Sequence, residues 1–307
     1  MEKMTQLLVI GGTGFIGHHL IRLAVEKNWI VTSLSLHPPQ AERFVPGVKY
    51  CQSNMLNHSE LERSLHEREF DYVVNLVDYI DHTLFKAGGR QFIDEHFTAI
   101  QNLITILSRE KLRRFVQVGS SDEYGNAPAP QHEHLREAPI SPYSLGKVAT
   151  THFMQMLHQT EAFPAVILRL FLTYGPGQNE ERFLPQIIKG CLNDRSFPTS
   201  AGEQLRDFCY IEDAVRAIFL VLENDSVNGE IFNIASGQPV SIRSVIESVQ
   251  NLIGKGEPCF GEVPYRPAEN MCLYADIKKA KKLLQWEAKH NLEDGLKKTI
   301  AWYSRND

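Results

Sequence analysis

The first half of the chain alternates short apolar runs with amphipathic segments. The runs of strand length are residues 6–10, 30–34, 71–77, 114–119 and 165–170. The segments with apolar side chains at helical spacing are residues 15–28, 94–110 and 144–160. Strands that are apolar throughout and are separated by helices are typical of parallel sheets with both faces covered. The pattern therefore predicts an α/β fold with a doubly wound parallel sheet.

The alternation stops past the middle of the chain, where short strands, helices and loops mix. A chain of 307 residues is long enough for two domains. We expect residues 1–174 to form the first domain, and residues 175–206 with 237–307 to form a smaller α/β domain. The apolar run at 230–235 is typical of a buried strand, so the segment of about 207–236 is expected to complete the first sheet.

Composition and charge narrow the possible partners. The formal net charge is -5 and no run of Lys or Arg forms a basic stripe, which argues against a nucleic-acid partner. The N-terminal apolar run is too short to span a bilayer, and the odd number of cysteines, five, favours reduced thiols in a cytoplasmic protein. His132 and His134 lie in a polar segment without further ligand residues, so we predict no metal site.

A glycine-rich turn follows the first predicted strand. Gly11, Gly14 and Gly17 form a GxxGxxG motif where that strand meets the helix. Glycine lets the backbone approach a pyrophosphate, and the amides at the helix start, those of Phe15 and Ile16 among them, can bind its oxygens. A glycine motif between a strand and a helix predicts a Rossmann-type domain that binds a dinucleotide.

The end of the second predicted strand bears on the choice of dinucleotide. An acidic residue there would hold the ribose hydroxyls of NAD, but this chain has Ser35. A hydroxyl tolerates a ribose 2'-phosphate that a carboxylate would repel. The cations that follow in sequence, His37 and the more distant Arg43, are weak substitutes for an arginine beside Ser35. We therefore predict NADP or NAD as the cofactor, with a slight preference for NADP.

A second group of residues has the chemistry of proton transfer. Tyr143 and Lys147 are four residues apart on a predicted helix, so they share one face. A nearby ammonium favours the phenolate and lowers a tyrosine pKa from its free value of about 10, which makes a general acid/base. Ser120 directly follows the strand at 114–119, at the edge where ligands of open α/β sheets bind. These three residues predict oxidation or reduction of a carbinol carbon.

The segments GGTGFIG, SSDEYG, YSLGK and LRLFLTYGPGQ together resemble the extended short-chain dehydrogenase/reductase family. With RDFCYIEDAV and PYRPAENMCLYADIKKAKKLLQW, the resemblance covers nearly the whole chain. It implies a nucleotide-diphosphate sugar as substrate and homodimers formed through helices 94–110 and 144–160. It also implies that Tyr143 is the acid/base, that Ser120 holds the reacting oxygen and that Lys147 binds the nicotinamide ribose.

The resemblance implies further ligand residues and shows departures. Arg206 and Arg266 match positions that bind the diphosphate or nucleotide portion; alone, we would expect Arg206 to pair with a neighbouring carboxylate. Asn54 occupies a position where an Asp often contacts adenine, and an amide can still hydrogen-bond there. Leu172 replaces an Asn that often contacts the diphosphate, which puts ordinary sugar-nucleotide binding in doubt.

Three reactions share this machinery: 4-epimerisation with retained NAD, 4,6-dehydration, and 4-ketoreduction with external NAD(P)H. Most dehydratases have Thr-Asp-Glu where this chain has Ser120, Ser121 and Asp122, although those acting on GDP-mannose need only the second carboxylate. GSSDEYG and SPYSLGK most resemble GDP-4-keto-6-deoxymannose reductases, so we expect reduction of a 4-keto-6-deoxysugar. Asp122 and Glu123 would then bind substrate hydroxyls or be structural. A non-catalytic dinucleotide sensor is the alternative from another class.

Overall fold

The computed structural model describes residues 4–78, 83–265 and 269–306. In chain order the strands are β1 (Gln6–Ile10), β2 (Ile30–Ser35), β3 (Lys49–Gln52), β4 (Tyr72–Asn75), β5 (Arg114–Ser120), β6 (Ala165–Leu170), β7 (Leu172–Tyr174), β8 (Ser196–Thr199), β9 (Leu205–Tyr210), β10 (Ile231–Ile234), β11 (Pro239–Ser241), β12 (Glu257–Phe260) and β13 (Cys272–Leu273). The helices are α1 (Phe15–Glu26), α2 (His58–Leu65), α3 (Arg90–Ile106), α4 (Pro142–Glu161), α5 (Phe183–Leu192), α6 (Ile211–Leu222), α7 (Ile242–Ile253), α8 (Lys278–Leu284) and α9 (Leu292–Asn306).

Seven strands form a parallel sheet in the order β10-β6-β5-β4-β1-β2-β3. Residues Leu7–Ile10 of β1 and all of β4 and β6 are buried, because helices cover both faces of the sheet. The strand order reverses direction between β1 and β4, the switch point where open α/β sheets bind ligands beyond the carboxyl ends of their strands. The predicted α/β fold with a doubly wound parallel sheet is confirmed.

The chain divides into two compact units. Unit 1 comprises residues 1–125, 137–169 and 215–232, and unit 2 comprises residues 126–136, 170–214 and 233–307. Unit 2 contains a four-stranded sheet built around β9, which pairs antiparallel with β11 and parallel with β13 and β7. No helix in the part of the chain that the structure describes is long and apolar enough to cross a membrane.

Local sequence fixes the start of α4, which carries two of the predicted site residues. Ser141 caps this helix: its hydroxyl accepts a hydrogen bond from the Ser144 amide, and the Ser144 hydroxyl is 3.0 Å from the Ser141 amide. Pro142 occupies the first helical position, where its fixed φ suits the helix and its missing N–H costs nothing. Tyr143 and Lys147 consequently stand in the first two turns, on one face of the helix.

Candidate active site

The glycine turn joins β1 to α1 in a closely packed arrangement. Gly11 has a φ of 79°, and the amide of Gly14 donates to its carbonyl at 3.1 Å. A Cβ on Gly17 would lie 2.4 Å from the Gly11 carbonyl oxygen, which leaves no room for any larger residue. Gly14 caps α1 without a side chain, so the first amides of the helix, including those of Phe15 and Ile16, are left for a ligand. The turn fits a pyrophosphate group.

The side chains of Ser35, at the end of β2, and of Arg43 both contact Thr13 in the glycine turn. The hydroxyl of Ser35 accepts a hydrogen bond from the Thr13 amide at 3.3 Å. Arg43, in a short 3₁₀ turn at Ala41–Arg43, donates from Nη1 to the Thr13 carbonyl at 3.3 Å. The fold therefore brings Arg43 to Thr13, the residue that Ser35 also contacts. The separation of Arg43 from Ser35 in the sequence did not reveal this.

Two basic residues, His18 and Arg22, lie near Arg43. Nδ1 of His18 lies 3.0 Å from the Arg43 carbonyl oxygen. Burial lowers the pKa of His18, and the positive charges of Arg22 and Arg43 lower it further, against the opposing effect of that hydrogen bond.

Asn54, the predicted adenine ligand, follows β3, where its side-chain oxygen accepts from the amide of Leu56 at 3.0 Å.

The structure brings Ser120, Tyr143 and Lys147 together at the carboxyl edge of the sheet. Ser120 ends β5, and its hydroxyl accepts a hydrogen bond from the Asp122 amide at 3.1 Å. The Ser120 side chain is a hydrogen-bonding neighbour of the Tyr143 phenol and acts to lower its pKa. Tyr143 and Lys147 are each 2% exposed. A phenol, an ammonium and a hydroxyl at one edge of the sheet are groups that a general acid/base mechanism can use.

A residue that the sequence motifs did not single out completes this group. Asp78 lies three residues beyond β4, which neighbours β5 in the sheet. The Tyr143 hydroxyl donates to Oδ2 of Asp78 at 3.2 Å, and Nζ of Lys147 lies 3.0 Å from its Oδ1. Asp78 directly follows the predicted strand 71–77, but no motif links it to its two partners, which lie more than sixty residues further along the chain.

The expected lowering of the Tyr143 pKa by Lys147 is not what the structure shows. The pKa of Tyr143 is raised well above its ordinary value by burial first and then by the negative charges of Asp78 and Asp122, while the hydrogen bond from Ser120 opposes them. Nζ of Lys147 lies 5.9 Å from the centre of the Tyr143 ring and is paired with Asp78. The negative charge of Asp78 therefore offsets the positive charge of Lys147, which was expected to lower the pKa of Tyr143.

Glu123 is structural, one of the two interpretations that the sequence left open. It is fully buried, and its Oε1 accepts from the Ser120 amide at 2.9 Å. Its Oε2 accepts from Nε of Arg169 at 2.9 Å and from the Thr151 hydroxyl at 2.8 Å. These bonds fix the backbone that presents Ser120 and leave Asp122 as the carboxylate on this turn whose charge acts on Tyr143.

The structure describes only one of the two arginines that were predicted to bind substrate. Arg266 lies outside the described residues. Arg206 lies on β9, where it forms an ion pair with Glu269 and donates to the Leu205 carbonyl at 2.8 Å. Glu269 is 63 residues away in sequence, whereas the sequence suggested a neighbouring carboxylate. Asp207 instead accepts hydrogen bonds from the amide and hydroxyl of Ser236 and from two further amides.

The fold and the residues at the carboxyl edge of its sheet are those of a short-chain dehydrogenase/reductase: a Rossmann-type sheet, a glycine turn between β1 and α1, and a Ser-Tyr-Lys group from β5 and α4. Residues 7–235 match the sequence model of the NAD dependent epimerase/dehydratase family. This match spans well over half of the chain, and the protein belongs to that family.

Similar proteins share the whole length of the chain. A UDP-glucose epimerase of Bacillus subtilis, YtcB, described as uncharacterized, is 27% identical over 97% of this chain and 98% of its own. A probable dTDP-glucose 4,6-dehydratase of Sinorhizobium fredii is 25% identical over 98% and 93%. The crystal structure of a UDP-glucuronic acid 4-epimerase from Bacillus cereus, in complex with UDP-glucuronic acid and NAD, is 26% identical, covers 99% and 100%, and has a TM-score of 0.86.

These relatives change one expectation from the sequence. The site motifs most resembled GDP-4-keto-6-deoxymannose reductases, whereas the relatives named above are UDP-sugar epimerases and a dTDP-glucose dehydratase. The wider resemblance to the extended short-chain dehydrogenase/reductase family is confirmed, and the narrower one is not shown.

Proposed function

We propose that this protein transfers hydride between a nicotinamide cofactor and C4 of a nucleoside diphosphate sugar, in the direction that reduces a 4-keto-6-deoxysugar. The observation that carries the proposal is the buried Tyr143 phenol at the carboxyl edge of the sheet, beside Ser120 at the end of β5 and hydrogen-bonded to Asp78. The Tyr143 hydroxyl is the donor in its hydrogen bond to Asp78, so the phenol carries the proton that the reductive direction requires. The sugar nucleotide follows from the relatives, two of which are named for UDP-glucose and UDP-glucuronic acid.

Each residue has one task in this reaction. When bound, the reduced nicotinamide supplies the hydride. As the carbonyl bond opens, its oxygen takes the proton of Tyr143 and leaves a phenolate, which solvent reprotonates after turnover. Ser120 would hydrogen-bond the same oxygen, and Lys147 would hold the hydroxyls of the nicotinamide ribose. A positioned acid of this kind accelerates a reaction by about 10²- to 10⁴-fold.

The cofactor is proposed to be NADP or NAD, with the preference for NADP that Ser35 suggested. Arg43 strengthens this preference, because its guanidinium meets the same residue of the glycine turn as the Ser35 hydroxyl. A planar guanidinium next to a hydroxyl suits a ribose 2'-phosphate. The relative from Bacillus cereus binds NAD. Arg206 and Arg266 are proposed to bind the diphosphate or nucleotide portion of the substrate.

A second candidate is 4-epimerisation, which the full-length similarity to two epimerases favours. In an epimerase Tyr143 would first accept a proton and later return it, and the cofactor would stay bound. Dehydration keeps one of the two carboxylates that most dehydratases have, because Asp122 occupies the place of the second and Ser121 that of the first.

The cofactor released by denaturation separates these reactions. A reductase should release little nucleotide and should then oxidise added NADPH or NADH when a 4-keto-6-deoxysugar nucleotide is supplied. Release of one NAD per chain, together with conversion of a UDP-hexose to its C4 epimer, would instead favour the epimerase. The Tyr143→Phe variant should lose turnover by at least about 10²-fold and keep the dissociation constant of the dinucleotide. An equal loss in both would remove Tyr143 from the acid/base role.

A further inference from the structure

Asp78 connects the two residues on which proton transfer depends. Its Oδ2 accepts the proton of the Tyr143 hydroxyl, and its Oδ1 lies 3.0 Å from Nζ of Lys147. The Asp78 side chain is 30% exposed, whereas that of Lys147 is 2% exposed. The carboxylate therefore stands at the boundary between solvent and the buried pair.

Lys147 has a defined place in this arrangement. Its Nζ lies 3.4 Å from the carbonyl oxygens of Val77 and Val118, at the ends of the adjacent strands β4 and β5. Carbonyl oxygens hold an ammonium in position but carry no full negative charge. Asp78 supplies that charge, and it does so from the residue next to Val77, so the backbone beyond β4 sets its position.

We propose that Asp78 is a positioning residue of this site, which bridges Tyr143 and Lys147 through its two oxygens and keeps the phenol in its proton-donating form. The bridge neutralises Lys147, so the ammonium does not favour the phenolate. It also orients the Tyr143 hydroxyl as a donor. The consequence for catalysis rests on the proposed function, whereas the effect on Tyr143 itself does not.

The groups around Tyr143 support this charge balance. Asp78 faces it from the end of β4, Asp122 from the turn after β5 and Lys147 from its own helix. From α3, the ring of His96 lies edge-on at 5.5 Å between ring centres. Burial and then Asp78 and Asp122 raise the pKa of Tyr143. Two negative charges thus act on the phenol against one ammonium, and the ammonium is paired.

The test is a titration of Tyr143 in the full-length protein without cofactor or substrate. Labelling the tyrosines with ¹³C at Cζ gives a signal that distinguishes phenol from phenolate, and the signal missing in Tyr143→Phe identifies Tyr143. In the wild type, Tyr143 should remain protonated at about pH 10, where a free tyrosine is half ionised. In Asp78→Asn the pKa of Tyr143 should fall by at least about one unit, because one negative charge is lost and Lys147 is released.

Two further variants control the result. Asp94→Asn removes an exposed carboxylate of α3 that pairs with Arg90, and should leave the Tyr143 titration unchanged. Asp78→Glu keeps the charge and should restore most of the wild-type titration. An Asp78→Asn protein with an unchanged Tyr143 titration would overturn the proposal. So would a wild-type Tyr143 that ionises at or below the ordinary range, a result that does not depend on the folding of any Asp78 variant.

Activity measurements separate this proposal from the proposed function. With a turning-over substrate, Asp78→Asn should shift the alkaline limb of the pH profile of kcat to lower pH by a similar amount. If the titration behaves as expected but no ketoreduction is found, the role of Asp78 stands and the reaction assignment falls. If reduction is found but the titration is unchanged, only the role of Asp78 falls.

Discussion

The buried ion pair between Glu123 and Arg169 permits a quantitative test. Both side chains are fully inaccessible to solvent, and Nε of Arg169 lies 2.9 Å from Oε2 of Glu123. Replacing Glu123 by Gln keeps the shape but removes the charge. The Gln carbonyl can still accept from the Ser120 amide, which then points the amide NH₂ at the guanidinium. Arg169 becomes a buried charge that faces a donor where it had an acceptor.

The structure sets the expected magnitude. Removing one partner of a buried ion pair typically costs about 3–5 kcal/mol of the free energy of unfolding. Arg169 retains Glu137, whose Oε1 lies 2.6 Å from its Nη2 and whose side chain is 14% exposed. Because one negative partner remains, the loss for Glu123→Gln should lie at the lower end, about 3 kcal/mol.

Urea unfolding of Glu123→Gln and of the wild type measures this difference. The matched control is Glu161→Gln, which breaks the pair with Arg109 where the side chains are 45% and 41% exposed. Exposed pairs contribute about 0–1 kcal/mol, so this variant should unfold almost as the wild type does. A Glu123→Gln protein of wild-type stability with a raised KM for the sugar nucleotide would refute the structural role and make Glu123 a substrate ligand.

Two further predictions concern the cofactor and the assembly. Arg43→Ala should weaken NADPH binding by at least about tenfold while changing NADH binding little, because a charge-assisted bond to the 2'-phosphate is worth about 1.5–3 kcal/mol; calorimetry with both cofactors checks this, and an equal loss for both would count against a 2'-phosphate site. The predicted homodimer through α3 and α4 should dissociate in Met156→Glu. Met156 shares an exposed face of α4 with Leu145, three helical turns away, and the variant places a charge on that face. Light scattering should then give a monomer mass. A wild-type protein that is already monomeric would end that prediction.

The parts of the fold that the sequence predicted are those with a strong local pattern. Strands β1 and β6 match their apolar runs residue for residue, since both are buried throughout or nearly so. Strand β3 and helix α2 were not predicted. β3 is an edge strand with partly exposed side chains, so it shows no apolar run. Helix α2 is short, and the Asn57 cap that starts it was a weak signal alone.

The same distinction between local and non-local signals applies to the residues of the candidate site. Ser120, Tyr143 and Lys147 follow from motif and spacing, because the end of a strand and one face of a helix are readable from sequence. Arg43 and Asp78 do not, because each reaches the site through a fold that joins distant segments. Arg43 meets the glycine turn through a 3₁₀ turn, and Asp78 meets α4 only because β4 and β5 are neighbours.

The charge balance around Tyr143 should set how readily this site takes a proton from a substrate hydroxyl. A phenol that begins each cycle protonated can donate at once to a forming alkoxide. The opposite direction first requires loss of that proton, and every pKa unit by which Tyr143 is raised costs about 1.4 kcal/mol in forming the phenolate near neutrality. Burial, Asp78 and Asp122 raise that pKa. An epimerase must pass through both directions in each turnover, whereas a reductase needs only the one that the carboxylates favour.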